Sequence, residues 1–370
     1  MTHCSGLCQT APCLGTCISD KSQRKRRRKN LRDGSHLSSN DVKVRDALLR
    51  YTNQHNVQVR YRTPVEALLM DPEGTDTQPN AGRVQGVRLR DGKQIMASAI
   101  ILATGGASWP STGSTGDGYR MAQTIGHSII PLRPALVPLT VAERARAKAL
   151  QGISLRNIHC TLLAQQAKGT HYKPIPPRYP LPPTGELLFT HFGLSGPLVL
   201  TRSLDAVDAL RAGKQVFASI DLKPGMTADE IRIRLQREFE QHAHKHLANL
   251  LQNWAPHALA TVLAEMSGIA PERPVHTIRA EERDSIVERF KDFRWQITSS
   301  LPLEAGMVTA GGVSLKEVDP RSFASRKVHG LFLAGEVLDL AGDTGGFNLQ
   351  AAFSSGYLAG EHAAALTSAL

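Results

Sequence analysis

No stretch of the 370-residue sequence approaches the roughly 18 consecutive apolar residues of a membrane-spanning helix, so no such span is expected. The N-terminus lacks a basic region leading into an apolar segment. A secretory leader is therefore not expected, and the cytoplasm is the expected location. Cysteine is scarce: there are five, and Cys4, Cys8, Cys13 and Cys17 crowd the first twenty residues. Their gaps of three, four and three residues lack the tighter C-x2-C knuckles of structural zinc sites, so no metal site is expected. Without a sign of secretion, a disulfide framework is not expected either. No internal repeat is present.

The net charge of +11 is concentrated rather than spread. Lys21, Arg24, Lys25, Arg26, Arg27, Arg28 and Lys29 face one acid nearby, Asp20. Such a run can bind phosphate backbones, but no aromatic residue interleaves residues 24–29 to offer bases a stacking surface. Residues 1–37 therefore read as a solvated, disordered Cys/Arg-rich tail, and nucleic-acid binding is not expected.

What remains is an ordinary globular composition, 41% apolar and 21% charged, in a chain long enough for two domains. Residues 41–56 read as an amphipathic helix, and residues 57–70 alternate like a strand. Two short strands follow around Asp91-Gly92, a dipeptide suited to a tight turn. "AIILATGG" has no alternation, as expected for a parallel strand buried on both faces. A glycine-rich loop, "ASWPSTGSTGDG", then leads to a short helix that Gly126 can close. Residues 131–183 are proline-rich and irregular, and Thr227 and Glu230 form a capping box at the start of a long helix through residue 252. The pattern predicts an α/β fold in which 38–134 and 303–370 form one discontinuous domain. Residues 135–302 are inserted into it, with 135–224 mainly β and 225–302 mainly helical.

The C-terminal stretch "GLFLAGEVLDLAGDTGGFNLQAAFSSGYLAG" reads as strand, glycine loop and helix, a common way of holding a phosphate or dinucleotide. Glu336 at the strand's carboxyl end can accept hydrogen bonds from ligand hydroxyls. Gly345 and Gly346 allow close approach to the backbone, and a helix starting near Phe347 and Asn348 would turn its positive end toward the ligand. On spacing alone, a plain turn with a surface acid is an equally good account.

Four segments carry a resemblance: "ATGGASWPSTGSTGDGYRMA", "GELLFTHFGLSGP", "AGMVTAGGVSLKEVD" and the C-terminal stretch. In order and spacing they resemble the FAD-dependent oxidoreductases of the aminoacetone oxidase or BaiN type, from about residue 38 to the end. The resemblance implies a glutathione-reductase-like, Rossmann-type FAD-binding domain interrupted by an insert with a β-barrel part and a helical part. It places Thr104 and Gly105 beside the nucleotide, and Gly335 and Glu336 at the ribityl–pyrophosphate region. Gly345, Gly346, Phe347, Asn348 and Leu349 fall at the isoalloxazine ring, and Val65 at a backbone contact to adenine. Hydride would pass through flavin N5 to or from a small-molecule substrate, with NADH or NADPH as a candidate electron donor. No side chain declares itself a catalytic acid or base, and the oligomeric state is left open.

One departure is central. The family begins with a strand, a Gly-x-Gly-x-x-Gly turn and a helix, and that fingerprint is absent from this sequence. In a sheet of order 3-2-1-4-5 the absent strands belong between the third strand, near Val57–Tyr61, and "AIILATGG". The Rossmann-type domain is thus expected to be incomplete and to bind FAD weakly or not at all. Two origins stay open: a truncated or frameshifted remnant without activity, or a missing half supplied by a separate chain. Rival chemistries fit less well. Ser195 in "HFGLSGP" lacks the second glycine of a nucleophile elbow, and of His242, His244 and His246 only the outer two would share a helix face.

Overall fold

In the computed structural model, residues 16–19, 39–71, 82–165, 171–180 and 182–368 are described. The chain divides into two compact units. One comprises Met1–Pro131, Gly311–Leu340 and Asn348–Leu370, the other Leu132–Ala310 with Ala341–Phe347. The sequence places the divisions a few residues away, at 134/135 and 302/303. Residues 341–347, expected in the interrupted domain, group with the inserted unit instead.

In the first unit, the helix Ser39–Gln54 leads into the strand Gln58–Tyr61, and the expected single strand continues after a break as Val65–Asp71. Val65–Asp71, Arg83–Leu89 and Gln94–Met96 form an antiparallel meander, turned at Asp91-Gly92. Thr16–Ser19, inside the segment expected to be a disordered tail, is a strand paired in parallel with Gln58–Tyr61. Cys4, Cys8, Cys13 and the basic run 24–29 lie outside the described residues.

Ile100–Leu102 pairs in parallel with Leu331–Leu333. In place of two buried faces, Ile101 is 38% exposed, as the absence of the strands expected beside "AIILATGG" implies. Among the described residues this strand has one ladder partner, so one flank is uncovered. The terminal helix Gly345–Ser368 packs Ala359, with Ala363 and Leu366, against Phe332.

The second unit is built on an antiparallel sheet that closes on itself. Ser154–Gln165, Gly185–Thr190, Gly193–Ser195, Leu139–Val141, Phe293–Ser300 and Val216–Asp221 pair in that order. The last pairs again with the first, from Val216 opposite Ala164 to Asp221 opposite His159. Alternate residues of Val216–Asp221 are buried, as a filled barrel requires. Phe189, Phe293 and Trp295 fill it, with centroid separations of 5.2, 5.3 and 6.3 Å. Helix Pro197–Arg211 starts with its proline in the first turn. Helix Ala228–Gln241 carries the expected capping box: Glu230 N–H donates to Thr227 Oγ1 and Thr227 N–H to Glu230 Oε2.

The long helix expected through residue 252 is instead two helices, Ala228–Gln241 and Leu247–Leu251. His242 closes one and His246 caps the other, so they do not share a helix face. The histidine-rich joint has weak helix propensity, and Lys245 N–H turns back to the His242 carbonyl. Among the described residues no helix is long and apolar enough to cross a membrane.

A polar network that the sequence does not announce pins the end of the short helix Asp117–Thr124. The His127 side chain is fully buried, with Nδ1 3.0 Å from Glu317 Oε2 and Nε2 2.9 Å from Ser325 Oγ. Glu317 also accepts the Ser128 N–H, 2.9 Å, and pairs with Lys327 Nζ at 2.8 Å. An ionised Glu317 accepts a hydrogen bond from Nδ1–H, so Nε2 of the neutral ring accepts from the Ser325 hydroxyl. Ser325 Oγ in turn accepts the Lys327 and Val328 N–H groups.

Burial alone would raise the Glu317 carboxyl, but Lys327, Ser128 and His127 outweigh it and hold it at about 2. Burial lowers the His127 imidazole below its usual 6.5 against the opposing pull of Glu317. Both groups take up protons more readily in the unfolded chain. The histidine contribution is intact above pH 6.5 and lost below it; the glutamate contribution is intact above 4.5 and lost as pH falls toward 2. Glu317→Gln is therefore expected to cost about 2–3 kcal/mol at pH 7, with the gap to wild type narrowed to about half at pH 3. Urea midpoints at both pH values check this; an undiminished gap in acid would sink it.

Candidate functional site

Two turns lie side by side where the parallel strands Ile100–Leu102 and Leu331–Leu333 end. One is Ala103-Thr104-Gly105, the other Ala334-Gly335-Glu336, and Ala334 N–H continues the ladder by donating to the Leu102 carbonyl at 3.1 Å. The carboxyl ends of parallel strands are where open α/β sheets bind ligands, because the chain must leave the sheet there and exposes its backbone groups. The pairing thus brings together Thr104, Gly105, Gly335 and Glu336, which are far apart in sequence.

Each turn is fixed from behind. Gly335 takes a left-handed conformation, φ 74°, and its N–H donates to the buried Ser355 Oγ at 2.9 Å. Ser355 in turn donates to the Ala351 carbonyl of its own helix. The buried Tyr119 donates its hydroxyl to the Glu336 carbonyl at 2.9 Å. Helix Asp117–Thr124 comes so close to the first turn that a Cβ at Gly118 would overlap Thr104 Oγ1. Gly312, φ 127°, passes so close to the segment after Glu336 that a Cβ would lie 2.7 Å from the Val337 carbonyl oxygen. Beside it, Gly311 N–H donates to Asp339 Oδ1 and Asp339 N–H to the Val313 carbonyl.

Gly345 and Gly346 open the terminal helix two residues before the expected start near Phe347. Around them there is room. A Cβ at Gly345 would meet only Met307 Cε, and at Gly346 only Thr344 Oγ1, each at 3.8 Å. Asn348 is half-buried, whereas Phe347 and Leu349 are 64% and 61% exposed. The donor set and the open space at the helix start fit the ring end of FAD, where a planar ligand needs backbone N–H groups without intervening side chains.

Val65 is placed elsewhere: it opens the meander opposite Leu89. It lines a cavity of about 380 Å³ with Arg90, Asp117, Arg120 and Met121. The supporting residues Ser355, Tyr119 and Gly118 stand in the quoted motifs, but nothing in the sequence assigns them their supporting contacts. The pair Gly311-Gly312 stands in a motif, but its task of admitting neighbouring backbone is visible only in three dimensions. Neither Ser195, the last residue of a barrel strand, nor the histidines at 242–246 belong to the two turns.

Gly118→Ala is expected to cost about 1–3 kcal/mol in thermal unfolding, since the added methyl must displace Thr104. Combining it with Thr104→Ala removes the overlapping hydroxyl and should recover part of that loss. Strictly additive losses would show that the clash is relieved by some other route.

Known proteins resemble this chain in sequence. The chain is 32% identical over 274 residues to the 3-dehydro-bile acid delta(4,6)-reductase of Clostridium scindens, covering 74% of this chain and 64% of that protein. It is 28% identical over 312 residues to the ribosomal RNA dihydrouridine synthase of Escherichia coli, covering 84% and 69% respectively. With the enzyme of the same name from Haemophilus influenzae it shares 30% over 279 residues, 75% of this chain and 63% of that one. The chain thus spans less than two thirds of the length of the first and third relatives. The family model described as HI0933-like protein Rossmann domain matches residues 32–362. The chain belongs to that family, the FAD-dependent oxidoreductases of the aminoacetone oxidase and BaiN type that its four motifs resemble.

Proposed function

We propose that this protein is an FAD-dependent oxidoreductase acting on a small-molecule substrate. The observation that carries it is the juxtaposition of the turns Thr104-Gly105 and Gly335-Glu336 at the carboxyl ends of one parallel pair. When bound, FAD supplies hydride transfer through its N5 atom. The residues of the chain hold and orient it. Thr104 and Gly105 lie along the nucleotide, and the Glu336 carboxylate accepts from hydroxyls of the ribityl–pyrophosphate region. The N–H groups of Gly345, Gly346, Phe347 and Asn348 stand at the start of their helix. They favour negative charge on the ring through the positive end of the helix. Leu349 and Phe347 offer exposed apolar surface beside it. Val65 contributes a backbone contact to adenine.

NADH or NADPH serves as the electron donor. Both relatives' names describe reduction of an unsaturated substrate, which favours an electron-poor double bond as the acceptor here. No observation favours an inactive remnant, although the fingerprint turn that cradles pyrophosphate is absent from this sequence.

The purified chain, incubated with excess FAD and desalted, is expected to keep a flavin absorption spectrum. NADH or NADPH should bleach it anaerobically, and a conjugated 3-dehydro-bile acid, after the first relative's name, should restore it. A colourless protein after desalting would overturn the proposal for this chain.

A further inference from the structure

Residues 341–347 lie between the two parts of the first unit in sequence, yet they group with the barrel unit, and the reason is specific. The Tyr179 hydroxyl donates to the Ala341 carbonyl, and Thr201 Oγ1 donates to the Asp343 carbonyl at 3.3 Å. The Ala341 methyl packs on a small cluster of Ala135, Leu136, Leu204, Val308 and Ala310.

Both hydroxyls are aimed by one helix, Pro197–Arg211. It carries Thr201 itself. It also clamps the segment that bears Tyr179. Arg202 donates to the Ile175 carbonyl at 2.7 Å and pairs with Asp205 at 2.8 Å, with both side chains more than nine-tenths buried. Arg178, next to Tyr179, reaches Asp208 at 2.7 Å and Asp205 at 3.6 Å, and Asp208 is held from its other side by Arg133 at 2.6 Å. Charge-assisted bonds of this kind fix direction as well as distance. This network holds the backbone of a short loop whose one apolar anchor on that cluster is the partly buried Ala341.

We infer that Tyr179 and Thr201 are positioning residues of the barrel unit that set the loop 341–347, and through it the helix start at Gly345-Gly346 that receives the flavin ring. The inference rests on the flavin assignment above. A hydroxyl that fixes a carbonyl before a helix start controls where the first N–H groups of that helix point. The electrostatics felt by the ring then depend on residues that never touch it.

The test uses the full chain carrying Tyr179→Phe, Thr201→Val or both, each of which removes a hydroxyl and little else. Amide hydrogen exchange without FAD is expected to speed up about tenfold at residues 341–347 in the double variant, with the barrel strands unchanged. With FAD bound, the double variant should show a shifted flavin absorption band and an FAD dissociation constant raised about fivefold to tenfold. Unchanged exchange at 341–347 would overturn the inference whatever happens to FAD. Faster exchange with an unmoved band and unmoved affinity would overturn its link to the flavin. If the wild-type chain takes up no FAD, the flavin assignment and that link fall together, and the exchange result alone decides whether the two hydroxyls set the loop.

Discussion

The pairing of Leu331–Leu333 with Ile100–Leu102 is the contact on which the first unit depends. It joins segments from either side of the inserted unit, so it must offset the entropy of closing a long stretch of chain. Leu331 and Leu333 are wholly buried and Phe332 nearly so, and burying three such side chains is worth roughly 5–9 kcal/mol before other costs. Only once this ladder forms do the Thr104 and Gly335 turns become neighbours. The helix carrying Ser355 can then lie across one of them. The buried Tyr119 reaches the same turn through the Glu336 carbonyl.

The glycines around these turns fall into two physical groups. At Gly118 and Gly312 the missing Cβ is already replaced by neighbouring protein atoms, so these residues serve packing. At Gly345 and Gly346 the missing Cβ leaves room at the start of a helix. Glycine-rich motifs mix the two groups freely, because both need the same absence of a side chain. The distinction matters for function: a packing glycine holds a site in shape, whereas an open one admits something that is not protein.

The second unit is better suited to bearing load than the first. Its barrel has no free edge along the closed ring, and its interlocked aromatic core resists deformation. The helix Pro197–Arg211 lies on that scaffold with much of its length buried, and the Arg–Asp network extends the rigidity to the Tyr179 segment. A loop tied to such a body inherits its stiffness. The first unit, with two short parallel pairs among its described residues, offers less to lean on.

Much of this was determined by the sequence alone. The capping box at Thr227, the turn at Asp91-Gly92 and the proline start of Pro197–Arg211 depend on bonds within a few residues, so local chemistry specifies them. The order of four glycine-bearing motifs likewise disclosed the family and the turns around Thr104 and Gly335. What it could not disclose depends on partners distant in the chain. The long helix through His242 breaks because its histidine-rich joint turns back on itself. His127 finds Glu317, and Tyr179 finds Ala341, across stretches that no periodicity spans. Hydrogen bonds and close packing between remote segments leave no repeating mark in a sequence, and only the folded chain could decide them.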